Sequence, residues 1–471
     1  MKHPGPLRDS PPPKTAISSG RHDAFRVGSC SIEQVIGLAV LAVVFVGYSV
    51  VAARLERWSI TAPMVFVTTG ALIGPHVFGV LDLATNTEAV KLVAEVTLAL
   101  ILFADASTLR WREVRLDASL PARLLLIGFP LTVLAGVVAG WWLIPAAGWA
   151  AAALAASMLA PTDAALGLGV FTNRSVPARI RRALNVESGL NDGMATPLVT
   201  LFLAVLVAHE GAGPEGWLAE SVRALGLAVL VGALVGVGVG RLMARAQQRG
   251  WASDTSDRLA VLATALLSYA GTVAAGGNGF VAAFVAGLLF AAATKGKLRG
   301  ATGFTEDLGL FTSFLVWAIF GAVLVAPLLT NELYLPAIGY ALVSLTLVRM
   351  VPVAISLVGT GLRPVSLAFM GWFGPRGLAS VVFTLLAFES LEDGGLASER
   401  LVEVATWTIL LSIIAHGLTA RPLAAAYGRA VAAAPVEHDG TTPQLETSIP
   451  RSLSARRAEQ DGIGHSAGSE P

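Results

Sequence analysis

Apolar runs of about 17 to 25 residues recur along this chain, and short polar segments part them. Each run is long enough to cross the hydrocarbon core of a bilayer as a helix. The pattern predicts helices near residues 32–53, 61–80, 88–106, 120–143, 147–171, 181–208 and 222–243. A second group follows near 257–275, 278–293, 306–329, 335–358, 364–389 and 400–427. The expected fold class is therefore an all-α polytopic membrane protein of about thirteen transmembrane helices. Residues 1–30, with three prolines at 11–13, and residues 430–471 are polar and carry Pro, Ser and Gly. They read as disordered tails around one membrane domain, 31–429. The first tail is too long and too mixed in charge for a cleaved signal, so the run after it reads as a retained helix.

The loops carry the orientation. Arg54 and Arg57 follow the first span, Arg110, Arg112 and Arg115 the third, and Arg174, Arg179, Arg181 and Arg182 the fifth. Arg245 and Arg249, then Lys295, Lys297 and Arg299, then Arg363 continue the series in the seventh, ninth and eleventh loops. The even loops are nearly free of basic residues and hold Glu210, Glu215, Glu392 and Asp393. By the positive-inside rule the odd loops and the C-terminus are cytoplasmic and the N-terminus is outside, in a plasma (inner) membrane. The tail residues Lys2, Arg8, Lys14, Arg21 and Arg26 run against this orientation, which rests on the alternation of the loops.

Composition agrees with the solvent that the pattern implies. Of 471 residues, 54% are hydrophobic and 14% charged, with a mean hydropathy of +0.68. A soluble chain carries nearer a quarter charged residues. The net charge of +1 says little, and the single cysteine, Cys30, excludes an intrachain disulfide framework and a thiolate metal cluster. No His/Cys/carboxylate spacing suggests zinc or haem, and no cofactor is expected.

Against this apolar background stands NVESGLNDGMATPLVTLFLAVL, which holds Glu187, Ser188, Asn191 and Asp192. Carboxylates in hydrocarbon cost roughly a few kcal/mol each and are kept mainly where they act. On a helix, Glu187 and Asn191 share one face, and Ser188 and Asp192 the adjacent one. One sector thus offers hard oxygen ligands and a titratable group together, as competition between a cation and a proton requires.

Two further spans are interrupted. In LAPTDAALGLG, Pro161 removes a backbone donor and frees a carbonyl just before Thr162 and Asp163. A helix broken at the bilayer midplane offers carbonyls and partial helix charges to an ion. The alternative is a kink whose Asp163 caps the second half of its own helix. In MGWFGPRGLASVVF, Gly371, Gly374, Pro375 and Gly377 interrupt a second span, with Arg376 at the break. A buried arginine needs a carboxylate, and Glu187 is the partner expected; otherwise Arg376 marks a cytoplasmic boundary. The broken helices are the fifth and twelfth, seven spans apart and opposite in direction. Inverted-topology repeats, with helices one to six related to eight to thirteen, predict this placement and a binding site between the halves.

Other polar residues carry less. Gly232, Gly236 and Gly240 form a GxxxG ridge that implies close helix packing; with no strand before it, GVGVG is no dinucleotide fingerprint. Asp105, at the end of the third helix, is either a further ligand or an interfacial cap. Glu95 and Arg349 read as packing or salt-bridge residues, and His416 as a hydrogen-bonded interior histidine, with a proton relay as the other reading.

Taken in order, APTDA, ESGLND and GWFGPRG resemble the monovalent cation:proton antiporter 1 family, the prokaryotic sodium/proton exchangers and their eukaryotic relatives, over residues 32–427. The resemblance implies thirteen helices in inverted repeats, two crossed discontinuous helices, a homodimer, and a mobile core bundle beside a dimerisation scaffold. By motif position it implies Asp192 as the carboxylate that binds cation and proton, with Ser188 beside it. Asp163 and Thr162 would complete the coordination of the transported monovalent cation, and Asn191 would tie the unwound segments together. Glu187 and Arg376 would form a structural salt bridge, and Asp105 lies near a further acidic ligand of some members. The Asn191–Asp192 pair resembles the electroneutral branch. Ala164 departs from the family, where proline commonly follows the Thr-Asp pair.

The function expected is exchange of Na+, or of K+ or Li+, for H+ by alternating access, with both ions competing for Asp192. The expected partners are those ions, membrane lipid and a second copy of the chain, without nucleic acid. A cation channel would show a repeated pore loop or selectivity ring, and none is visible. An intramembrane protease using Ser188 with His416, or a pair of aspartates, would need a nucleophile–base motif that this chain lacks.

Overall fold

A computed structural model describes residues 32–79, 87–109, 118–163, 166, 170, 173, 175–207, 214–330, 332–391 and 395–433. Residues 1–30 and 434–471 of the expected tails lie outside this set, as do Arg110, Arg112, Arg115, Ala164, Arg174, Glu210, Glu392 and Asp393.

The described secondary structure is helical, in thirteen successive spans. They are α1 (Ile32–Arg57), α2 (Ala62–Ile73), α3 (Thr87–Thr108), α4 (Ser119–Leu143), α5 (Gly148–Leu159), α6 (Ala178–Val207) and α7 (Pro214–Gln248). Then come α8 (Asp254–Ala274), α9 (Gly279–Ala293), α10 (Arg299–Thr330), α11 (Leu335–Ser356), the two halves α12a (Pro364–Trp372) and α12b (Leu378–Ser390), and α13 (Gly395–Ala432). Seven of these are apolar over at least 18 residues, so the chain is a multi-pass membrane protein.

Local chemistry explains several boundaries. Helix α2 stops well short of residue 80 because Pro75 follows Gly74, whose backbone is already extended at φ −64°, ψ 172°. Helices α7, α10 and α13 outrun their apolar stretches, since polar turns at a membrane helix's ends continue it into water unseen by a hydropathy pattern. Ser253 and Ser256 form a reciprocal capping box at the start of α8, and Asn278 Oδ1 accepts from the Val281 amide at the start of α9. Two π-turns, Leu124–Gly128 in α4 and Gly321–Val325 in α10, each precede a proline, Pro130 and Pro327. A proline ring crowds the carbonyl one turn back, and the widened turn relieves that clash.

The spans pack as two groups. Helices α1–α3 and α7–α10 form one, and α4–α6 and α11–α13 the other. Within the first, Phe66 stacks on Phe314 at 4.7 Å, with Phe45 and Tyr48 of α1 against the same rings. The glycine ridge of α7 lies on α9: a Cβ at Gly232 would stand 2.6 Å from the Ala282 carbonyl oxygen, and one at Gly236 2.5 Å from that of Ala286. The close packing read from the GxxxG spacing is therefore against α9. Between the groups lies a continuous apolar core, including Leu98, Leu102, Val316, Phe320, Val382 and Phe383.

Candidate functional site

Helices α5 and α12 are discontinuous, and their breaks cross. Helix α5 ends at Leu159 ahead of Pro161, and α12 unwinds from Phe373 to Gly377. At the crossing the Asp163 amide donates to the Pro375 carbonyl at 2.9 Å. Helix ends leave backbone groups without partners inside apolar surroundings, and here each break serves the other. Ser380 Oγ donates to the Met158 carbonyl at 2.7 Å, and Arg376 Nη1 donates to that of Ala160 at 3.1 Å. In return the Leu378 amide, first in α12b, donates to Asp163 Oδ2 at 3.1 Å. Asp163 thus caps the second half of the other broken helix, a role that its own sequence neighbourhood does not disclose.

Helix α6 supplies the rest. Asn191 Nδ2 donates to Thr162 Oγ1 at 2.8 Å, and Thr162 Oγ1 lies 3.1 Å from Ser188 Oγ. All three are buried, and among the described residues Asn191 Oδ1 finds no donor. Asp192 follows Ser188 by one turn on the same face. Thr162, Asp163, Ser188 and Asp192 line one cavity of about 890 Å³, and Asp105 of α3 lines it too. Asn191, Glu187 and Arg376 stand behind that lining. Asp105 faces the cavity rather than capping α3 at an interface. Glu306 of α10 also lines it, and the hydropathy pattern, which starts that helix near Glu306, gave no reason to single it out.

One pairing differs from expectation. Glu187 does not meet Arg376 but is held by Arg349 of α11 in a fork, Nη1 to Oε1 at 2.6 Å and Nη2 to Oε2 at 2.9 Å, with both side chains buried. The unwound crossing explains the exchange of partners. Broken helices leave carbonyls that need donors, and Arg376 is drawn to them: Ala160 at the end of α5, and Ser344 at 3.4 Å, just before α11 breaks at Thr346. Carbonyls at helix C-termini carry partial negative charge and suit a guanidinium. The Arg376 amide, freed by the same unwinding, donates to Ser412 Oγ at 2.7 Å.

The secondary candidates fall outside the cavity. Glu95 accepts from Tyr269 Oη at 2.6 Å, tying α3 to α8. His416 is buried, its Nε2 2.8 Å from the Trp372 carbonyl and its Nδ1 2.9 Å from that of Ser412. It braces the end of α12a against α13.

A family profile described as "Sodium/hydrogen exchanger, transmembrane" matches residues 40–426, nearly the whole helical domain. The chain belongs to this family. Among curated relatives, the K(+)/H(+) antiporter NhaP of Alkalimonas amylolytica is 26% identical over 398 residues, 83% of this chain and 67% of that protein. The K(+)/H(+) antiporter NhaP2 of Shewanella sp. (strain ANA-3) is 25% identical over 389 residues, 80% of this chain and 64% of its own. This family member thus spans about two thirds of the length of those relatives. Its fold is similar to that of the sodium proton antiporter MjNhaP1 from Methanocaldococcus jannaschii, with a TM-score of 0.70 at 21% identity, covering 84% of this chain and 100% of that one.

In this exchanger family member the crossing has no room for a side chain at Gly377, where a Cβ would overlap the side chain of Asp163. Asp163 is held in place by its amide's bond to the Pro375 carbonyl and by the bond from the Leu378 amide, so it does not yield cheaply. Gly377→Ala is expected to lower stability by roughly 1 to 3 kcal/mol, the range for overpacking. It should also displace Asp163 from the Leu378 amide. Thermal unfolding in detergent measures the first effect, and loss of cation-dependent proton movement the second.

Proposed function

We propose that this chain exchanges one monovalent cation for one proton across a plasma (inner) membrane, the two ions competing for Asp192. The observation that carries the reading is that Asp192 and Ser188 face an open cavity where two broken helices cross. Oxygen donors of Thr162, Asp163 and Ser188 suit a hard cation, and a carboxylate is also the group that takes a proton.

Charge counting supports one-for-one exchange. Around the crossing, Asp163, Glu187 and Asp192 are three carboxylates and Arg349 and Arg376 two guanidiniums, so one negative charge is uncompensated. Either a single monovalent cation or a single proton cancels it. The loaded site is then neutral in both forms and crosses the low-dielectric barrier, whereas the empty, charged site is held back. Asp105 belongs to the other group of helices and stays outside this count.

The basic residues support a cytoplasmic mouth for the cavity. Its lining includes Arg179, Arg182 and Arg421, at the end of the molecule that carries the basic loops. The N-terminus is then outside and the C-terminus cytoplasmic, and family membership supports a homodimer. Na+ is the proposed cation, and the fold neighbour is described as a sodium proton antiporter. K+ is the second reading, because the curated relatives are described as K(+)/H(+) antiporters.

Everted vesicles test both readings. Adding Na+, K+ or Li+ at several pH values should release protons from vesicles containing the protein, with one cation effective at the lowest concentration. The response should persist unchanged when the membrane potential is clamped. Current without proton movement would identify a channel and overturn exchange.

A further inference from the structure

A second cavity, of about 610 Å³, lies at the opposite end of the molecule from the first. The first is lined by the late part of α3, the start of α6 and the first turns of α10. The second is lined by the start of α3, the far end of α10, the last turns of α12b and the start of α13. Little separates them. On α3, Leu98 lines the first cavity and Ala94 the second, one turn apart and about 6 Å along the axis. On α12b, Leu378 and Ala379 line the first and Leu385 the second. The seal between is the buried layer of Val316, Phe320, Val382 and Phe383.

At the second cavity's wall Lys91 Nζ meets Glu389 Oε1 at 3.0 Å. Lys91 begins α3, in one packed group, and Glu389 ends α12b, in the other. Both side chains are about a third exposed, 39% and 30%, so water can replace each partner when the pair parts. The pair spans the seam between the two groups, beside a cavity whose lining on α3 stops one turn short of the first cavity's.

We propose that Lys91 and Glu389 form a latch that holds the second cavity shut against the Asp192 site while the first stands open, and that it breaks when access passes to the other face. This rests on the exchange reading above, and it names two residues that set the balance between the two accessible states without touching the ion.

Val316 reports on the latch directly, since it is buried in the layer between the cavities, lines neither and lies on α10, away from both charges in sequence. Val316→Cys is placed in a Cys30→Ser background, leaving one thiol. A membrane-impermeant maleimide is applied from the second cavity's side. Lys91→Gln and Glu389→Gln should each raise the labelling rate about two- to fivefold, the range of a part-exposed ion pair. The charge-swapped double variant, Lys91→Glu with Glu389→Lys, should restore the slow rate. In proteoliposomes the single variants should raise the KM for cation presented at the first cavity, with kcat little changed, and the swap should reverse this. Labelling unmoved by the single variants, or still fast in the swapped protein, overturns the latch. Labelling that follows the latch while the parent moves no protons supports the latch and counts against exchange.

Discussion

Asp192→Asn is expected to reduce cation-driven proton movement to the background of empty proteoliposomes, while yield and thermal unfolding temperature stay near those of the parent. Asparagine keeps the shape of the side chain, with an NH2 donor in place of one acceptor oxygen, but can neither lose a charge to a proton nor offer one to a cation. The uncompensated negative charge at the crossing disappears, and with it the reason for either ion to bind there. Asp192 lines an open cavity and is only half-buried, so the folded state does not depend on its charge. Normal proton movement by this variant would sink the mechanism, because Asp163, the other carboxylate of the crossing that faces the cavity, is engaged as a cap. A variant that fails to fold would be recognised by its lost thermal transition and would instead assign Asp192 to the framework.

The second large effect concerns stability. Glu187 and Arg349 are buried and joined by two hydrogen bonds. Removing one member leaves the other charged and unpaired in low dielectric, which costs about 3 to 5 kcal/mol. Glu187→Gln and Arg349→Met are each expected to lower the unfolding temperature sharply and reduce the amount of folded protein. Replacing both residues by methionine should recover much of that loss, since a well-packed apolar pair is often as stable as the ion pair. Arg376→Met is expected to behave differently. Its partners are carbonyls at helix ends, so the double variant Glu187→Met, Arg376→Met should be no more stable than the worse of its single variants. Melting curves of the two double variants against their singles separate the observed pairing from the one the sequence suggested. Recovery with Arg376 and not with Arg349 would show the Glu187–Arg349 fork to be incidental.

That pairing shows how far the sequence reaches. Helix count, the broken fifth and twelfth spans and the cluster on α6 are all local properties. They follow from runs of apolar residues, from proline's missing donor and from the turn of a helix, and the order of residues is enough to reveal them. The family motifs are legible for the same reason, being short and contiguous. Glu187's choice between two arginines is not local. Arg349 and Arg376 both interrupt apolar sequence, and the pattern offers no way to rank them. The choice depends on where unwound backbone leaves carbonyls in need of donors, and that is set by how α5, α11 and α12 meet.

Asp163 makes the same point from the other side. Its sequence context allows a cap on its own helix, and the crossing makes it the cap of α12b, 215 residues away. Glu306 and the Lys91–Glu389 pair are also products of assembly. Each lies near the end of a helix, where charged residues are ordinary, and only the packing brings them to a cavity.

By itself, then, the sequence determined the solvent, the thirteen spans, the two breaks and the oxygen-rich face of α6, because each depends on residues within a few turns of one another. The tertiary structure alone decided which arginine neutralises Glu187, which helix Asp163 caps, which carboxylates share the cavity and which charges join the two groups. Those outcomes turn on distances between residues far apart in the chain, fixed by how helices pack and by backbone groups that lipid leaves no water to satisfy.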